Sequence, residues 1–341
     1  MTSFKEYVSK YRDSVYSKIM EYLPLKEPEA HYRMVRDYSE RMGSYRRAGF
    51  ILLTGEMFGE KPENLFLPAA AMQMSEDWIL IHDDIEDNSE SRRGKPALHK
   101  IHGNELAINA GDAVHISMWK ALKDYMVSAA GQRGSRLFDT FYDMLERTVE
   151  GQYLETNFIL NSKSLSKASE KLYLDIVSSK TCYYTVYGPM QLGAIAAGAS
   201  DAKLHALREI GYPAGVAFQI IDDVLDMTAD EKVFGKQRYG DLYEGKLTLI
   251  MLHAYESSSD SEKKETDRIF SKQRQQKTPE EISFLAGIAE KYGSVEYARG
   301  RAKTYADKAK EAVKQFSGEI PSNSYRDILL SSIEEMYRRE K

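Results

Sequence analysis

Apolar residues return every three or four positions along nearly the whole chain. Phe4, Val8, Tyr11, Val15 and Ile19 do so near the N-terminus, Leu137, Phe141, Met144 and Leu145 in the middle, and Ile328, Ile333 and Met336 near the end. Such spacing gathers the side chains into one stripe of an α-helix. Alternating strand patterns closed by hairpin turns are hard to find. Pro68 before an Ala-rich run, Pro279 before Glu-Glu-Ile and Pro321 before Ser-Asn-Ser sit where helices start or stop. Polar breaks fall near 59–64, 88–96, 161–167, 228–245 and 257–280. The last is expected to be a solvated connection carrying a short helix. No repeat of 20–50 residues stands out. The pattern predicts an all-α fold, with residues 1–341 forming one domain.

Composition narrows the function. Apolar residues make up 42% of the 341, enough for a sizeable core. The net charge of −5, from 47 Lys and Arg against 52 Asp and Glu, gives no general attraction to nucleic acid. An anionic substrate would need local basic groups or metal ions. Cys182 is the single cysteine, which excludes an intrachain disulfide and Cys-rich metal sites and fits a cytoplasmic location. No segment approaches the roughly 18 uncharged apolar residues of a membrane span, so none is expected.

Two acidic clusters share one form. Asp83-Asp84-Ile85-Glu86-Asp87 follows the run Trp78-Ile79-Leu80-Ile81-His82, and Asp222-Asp223-Val224-Leu225-Asp226 follows Ala217-Phe218-Gln219-Ile220-Ile221. On a helix, positions i and i+4 lie about 40° apart and i+1 lies about 100° away. All three carboxylates of each cluster are therefore expected on one side. One such cluster could be a solvated acidic face. Two with identical spacing, each closing an apolar helical run, call for compensation by a cation. Mg2+ suits them, because it takes one or two carboxylates and shares its other positions with water and phosphate oxygens.

Basic residues follow each cluster. Arg92-Arg93-Gly94-Lys95-Pro96 forms a turn whose guanidiniums suit diphosphate oxygens. Lys236 and Lys246 lie in glycine-flanked segments after the second cluster, where a loop could swing over a bound diphosphate.

These residues resemble the trans-type isoprenyl diphosphate synthases, the family of farnesyl and geranylgeranyl diphosphate synthases. The likeness runs through IHDDIEDNSESRRGKPALH, the pair Lys180-Thr181, and Gly215 to Gln219 with the second cluster. It implies a single large helical bundle around a deep central cavity, the isoprenoid synthase fold, as a homodimer with the two clusters facing each other at the cavity mouth. By the same resemblance Asp83, Asp87 and Asp222 would hold Mg2+ on the allylic diphosphate, three ions per site, helped by Asp84, Asp223 and Asp226. Arg92, Lys180 and Lys236 would contact that diphosphate, and Lys246 would help close the site. Thr181 and Gln219 would lie near the developing allylic cation, and Arg93 would contact isopentenyl diphosphate. The implied activity is head-to-tail condensation of isopentenyl diphosphate with an allylic diphosphate.

The chain departs from the family on the isopentenyl side. The usual Gly-Gly-Lys-x-x-Arg reads Gly43-Ser44-Tyr45-Arg46-Arg47, so Arg47 is kept and Ser44 replaces the lysine. Seven residues before the first cluster, where His or Gln is usual, stands Glu76. The expectation is that Arg46 compensates or that Glu76 pairs with Arg46 or Arg47 and positions it. The terminal Tyr337-Arg338-Arg339-Glu340-Lys341 resembles a basic tail that covers this substrate in some members. Trp78, five residues before Asp83, is the implied floor of the cavity. Helix geometry favours Ile79 and Met72, about 40° and 20° from Asp83 against about 140° for Trp78. The expected product is geranylgeranyl diphosphate, with farnesyl diphosphate the alternative. A terpene cyclase-like enzyme of the same fold and a non-catalytic partner subunit are the rivals.

Overall fold

The computed structural model describes residues 2–228 and 238–339. Lys236, expected to contact the allylic diphosphate, lies outside them, as do Glu340 and Lys341.

Helices dominate. In chain order they are α1 Phe4–Tyr22, α2 Glu29–Glu40, α3 Arg46–Met57, α4 Phe66–Glu86, α5 Leu98–His102, α6 Asn104–Ser128, α7 Arg133–Asn157, α8 Glu170–Ile176, α9 Gly188–Ala196 and α10 Asp201–Thr228. They continue as α11 Gly240–Glu244, α12 Leu249–Ser257, α13 Asp260–Phe270, α14 Pro279–Lys291, α15 Ser294–Gln315 and α16 Ser324–Tyr337. The starts follow local chemistry. Ser3 with Glu6, Ser259 with Glu262 and Thr278 with Glu281 form reciprocal capping boxes at α1, α13 and α14, and Pro279 opens α14, where its missing N–H costs nothing. The polar stretch 257–280 holds the expected short helix, α13.

One hairpin interrupts the helical pattern. Strands β1 Ser91–Arg92 and β2 Lys95–Pro96 pair antiparallel across Arg93-Gly94. Those two residues have φ of 51° and 76°, the left-handed pair that a two-residue turn needs, and Gly94 adopts it without a Cβ penalty. Two residues per strand are too few to show period-two alternation, which is why the sequence showed only a turn.

The chain gathers into two compact units. The first comprises residues 1–143, 185–208 and 316–332, and the second 144–184, 209–315 and 333–341. In the first, α4 packs chiefly on α6 and also on α1 and α3, while α3 packs on α9. Phe4, Val15, Ile19, Phe50, Ile51, Leu53 and Phe141 are buried there. In the second, α12 packs on α14 and α15 around Ile250, Met251, Leu285, Ile288 and Val313. No helix among the described residues is long and apolar enough to cross a membrane.

Candidate active site

The first cluster ends α4 and lies in the first unit. Asp83 keeps 21% of its side chain exposed, whereas Asp84 keeps none. Asp84 Oδ2 accepts the Tyr38 hydroxyl proton at 2.6 Å, and Arg92 donates from both Nε (3.0 Å) and Nη2. Tyr38 comes from α2, and its hydroxyl also accepts the Leu98 N–H at 3.1 Å. The Arg92 guanidinium is 4.0 Å from Asp83.

The second cluster ends α10 in the second unit and repeats this arrangement. Asp222 keeps 33% of its side chain exposed and accepts Arg339 Nη1 at 2.8 Å. Asp223 is 2% exposed, bound by the Tyr173 hydroxyl at 2.9 Å and Gln219 Nε2 at 2.8 Å. Gln219 in turn accepts the Thr181 hydroxyl at 2.8 Å. Asp226 is buried, and its Oδ2 accepts the Asp241 N–H at 3.1 Å.

The expectation that all three carboxylates of each cluster point to one side needs correction at Asp84 and Asp223. A residue at i+1 is rotated about 100° from its neighbour, and here that rotation carries both middle side chains into the protein. Their oxygens are taken up by protein donors, and they have next to no surface to offer an ion.

Lys180 and Thr181 lie on a π-helical stretch, Val177–Tyr187. Wider helical turns of this kind often mark functional sites. Gly151 of α7 allows the close approach, because a Cβ there would come within 2.7 Å of the Lys180 backbone nitrogen. Lys180 pairs with Glu155. Lys246 lies 3.9 Å from Glu155 and 3.5 Å from Asp241. Burial alone would push Glu155 up; Lys180 and then Lys246 outweigh it and hold the group below the usual range. Asp223 and Asp226 move the other way. Burial raises both, and Asp241 adds to it while Lys246 opposes.

Mg2+ fits this donor set. Glu155, Asp223, Asp226 and Asp241 outnumber the ammonium groups of Lys180 and Lys246, so carboxylates exceed cations around the second cluster. Among the described residues no group of three or more His, Cys, Asp or Glu side chains is arranged to hold an ion by itself. An ion here would complete its coordination with water and phosphate oxygens, as Mg2+ ordinarily does.

The residues expected on the isopentenyl side form a buried network of their own. Glu76 Oε2 lies 3.0 Å from Arg47 Nη1, and Glu76 Oε1 lies 3.4 Å from Arg93 Nη2. Arg93 Nη1 is 2.9 Å from Asp77 and donates to the Tyr38 carbonyl at 2.5 Å. Asp77 also accepts the Ser39 hydroxyl at 2.5 Å, and Arg47 donates to Thr185 at 2.9 Å. Glu76 therefore pairs with Arg47, one of the two partners anticipated, and with Arg93 in addition. Burial opposes its ionisation, but Arg47 and Arg93 hold its pKa below the usual carboxylate range. Arg46 is half-buried beside Arg47 at the start of α3.

Trp78 is half-buried and stacks on His115 of α6 at 3.9 Å between ring centres, and Trp119 Nε1 donates to His115 Nε2 at 2.7 Å. Ile79 is half-buried, while Met72 has no exposed surface, so no water-sized void reaches it. Sequence reasoning passed over Tyr38, Tyr173, Glu155, Asp241, His115 and Trp119. The His-x-x-x-Trp spacing on α6 and the glycine-flanked Asp241 were available signals; nothing local marks the two tyrosines.

Comparison with known proteins bears on this arrangement. A family profile described as polyprenyl synthetase matches residues 28–285. The chain belongs to that family. It is a prenyltransferase with the all-α isoprenoid synthase fold. The geranylgeranyl diphosphate synthase of Methanosarcina mazei is 34% identical over 293 residues, covering 86% of each chain. The geranylfarnesyl diphosphate synthase of Aeropyrum pernix is 31% identical, covering 86% of this chain and 90% of that one. Among solved structures, a polyprenyl synthase from Caulobacter crescentus, complexed with calcium and isoprenyl diphosphate, superposes with a TM-score of 0.86. It is 25% identical, with 98% of this chain and 96% of that one covered.

Proposed function

We propose that this prenyltransferase, acting as one functional domain over residues 1–341, condenses isopentenyl diphosphate head-to-tail with an allylic diphosphate and releases geranylgeranyl diphosphate. The observation that carries the proposal is the retention of both carboxylate clusters, each opening on a partly exposed first aspartate, Asp83 or Asp222, with a guanidinium beside it.

Asp83 and Asp87 in one cluster and Asp222 and Asp226 in the other are the proposed Mg2+ ligands, with three ions per site. Bound Mg2+ would neutralise diphosphate charge and so make it a competent leaving group. Arg92, Lys180, Lys236 and Lys246 are assigned to the allylic diphosphate, and Arg46, Arg47 and Arg93 to isopentenyl diphosphate. Thr181 donates a hydrogen bond to Gln219 Oε1, which turns the oxygen lone pairs of Thr181 toward the allylic cation that would develop as the C–O bond breaks. The double bond of isopentenyl diphosphate then attacks, and the proton lost from the new chain goes to the departing diphosphate.

Product length is assigned to Trp78 and Ile79. The geranylgeranyl assignment agrees with the Methanosarcina mazei relative, and farnesyl diphosphate remains the shorter alternative. The Aeropyrum pernix relative names a longer product and makes sizing essential. A homodimer is supported by exposed apolar side chains on α6, namely Leu106, Ile108, Ile116 and Val127, with Val149 and Tyr153 exposed on α7. The proposed location is the cytoplasm.

The test is purified protein with Mg2+, labelled isopentenyl diphosphate and each allylic primer, with products sized by chromatography. Geranylgeranyl diphosphate should accumulate and a chelator should abolish it. Failure to consume isopentenyl diphosphate with every primer refutes the proposal, and consumption of the allylic diphosphate alone would point to the cyclase-like rival.

A further inference from the structure

Both clusters treat the middle aspartate alike, although they lie in different compact units and share no tertiary neighbours through it. Asp84 and Asp223 are 0% and 2% exposed. Each accepts one hydrogen bond from a tyrosine on a helix that carries no acidic motif: Tyr38 on α2 at 2.6 Å, and Tyr173 on α8 at 2.9 Å. Each tyrosine is itself buried, at 0% and 2% exposure. The other oxygen of each carboxylate is held from near its own helix, by Arg92 of the hairpin that follows α4 and by Gln219 one turn earlier on α10.

A helix end can rotate about its own axis and carry its outer side chains with it. The first and fifth aspartates define a usable face only while that rotation is fixed, since one residue of slippage turns the face by about 100°. Arg92 and Gln219 reach the carboxylates from sequence neighbours and connect to other helices only at one remove, Arg92 through Arg41 on its carbonyl at 2.9 Å and Gln219 through the Thr181 hydroxyl at 2.8 Å. The tyrosine bonds join each carboxylate directly to a second helix of its unit.

We infer that Tyr38 and Tyr173 are positioning residues for metal binding: through Asp84 and Asp223 they lock the rotation of α4 and α10 that presents Asp83 with Asp87 and Asp222 with Asp226. This rests on the metal-binding assignment of the four outer aspartates. Groups that orient metal ligands without touching the ion commonly carry a tenfold or larger share of affinity, about 10–100-fold on removal.

Tyr38→Phe and Tyr173→Phe remove only the hydroxyl. Arg92 still pairs with Asp84 and Gln219 still donates to Asp223, so each carboxylate keeps a partner and the variants fold. Tyr11→Phe is the control, because its hydroxyl also sits on a carboxylate, Glu56 at 2.9 Å, at a site remote from either motif in sequence. The measurement is Mn2+ binding to the full chain in the presence of inorganic diphosphate, read from the free-ion paramagnetic resonance signal, with thermal unfolding recorded in parallel. Tyr38→Phe and Tyr173→Phe should each weaken Mn2+ binding about tenfold or more, with Tyr11→Phe unchanged, even where all three lower the melting temperature alike. Unchanged binding in either tyrosine variant overturns the role of that tyrosine. Equal weakening in all three shows general loosening and overturns the inference. A wild-type chain that binds no Mn2+ with diphosphate overturns the metal assignment beneath it, a result separate from the variant comparison.

Discussion

Glu76→Gln is the most informative single change. In the buried network, Arg47 and Arg93 face Glu76 and Asp77, so the guanidiniums assigned to isopentenyl diphosphate are already neutralised. At 3.0 Å and an effective dielectric near 20, the Glu76–Arg47 attraction is about 5 kcal/mol before desolvation is subtracted. A diphosphate engaging Arg47 from the other side would leave the Glu76 carboxylate about 7 Å away, a repulsion of about 2 kcal/mol per phosphate charge at the same dielectric. Glutamine keeps the shape and removes the charge. The variant should lower KM for isopentenyl diphosphate roughly tenfold to a hundredfold, at about 1.4 kcal/mol per decade, and leave KM for the allylic primer within about threefold. It should also cost some stability, roughly 1–3 kcal/mol, because Arg47 and Arg93, both half-buried, lose the carboxylate they share. The assay is steady-state incorporation of labelled isopentenyl diphosphate at saturating primer, with the melting temperature measured alongside. An unchanged or raised KM in a folded variant refutes the reasoning and makes Glu76 a purely structural partner of Arg47.

Other outcomes follow from the same structure. Trp78→Ala and Ile79→Ala should each shift products to longer chains, and chromatography showing unchanged lengths in both would remove them as the stop. Arg339→Ala frees Asp222 from its 2.8 Å partner and should lower the Mg2+ concentration for half-maximal activity, by about threefold for an exposed pair; a raised requirement would instead make Arg339 a substrate contact. Lys277 is buried and donates to the carbonyls of Leu242 and Tyr243, and burial lowers its pKa from 10.5 to about 8. The folded state binds fewer protons than the unfolded one between those values, so this group's penalty is full below pH 8 and is relieved as pH rises toward 10.5. Lys277→Met should flatten that rise in chemical-denaturation stability, worth up to about 3 kcal/mol, and an unchanged pH slope would refute the assignment.

Much of this protein was legible along the chain because its information is local. The stripe Phe4, Val8, Tyr11, Val15 and Ile19 specifies α1 and its buried face, and the capping boxes at Ser259 and Thr278 specify where α13 and α14 begin. The spacing within each acidic cluster, and the Arg-Arg-Gly turn, are likewise matters of a few consecutive residues. The tertiary structure decided what those residues face. Spacing alone groups Asp84 with Asp83 and Asp87, yet a tyrosine 46 positions earlier takes it inward. Glu76 reads as a charge that repels diphosphate, until folding sets it against Arg47 and Arg93. Helical periodicity depends on intervals of three and four, so one strand of sequence carries it. A partner for a buried carboxylate depends on which distant helix the core brings alongside, and no interval along the chain encodes that.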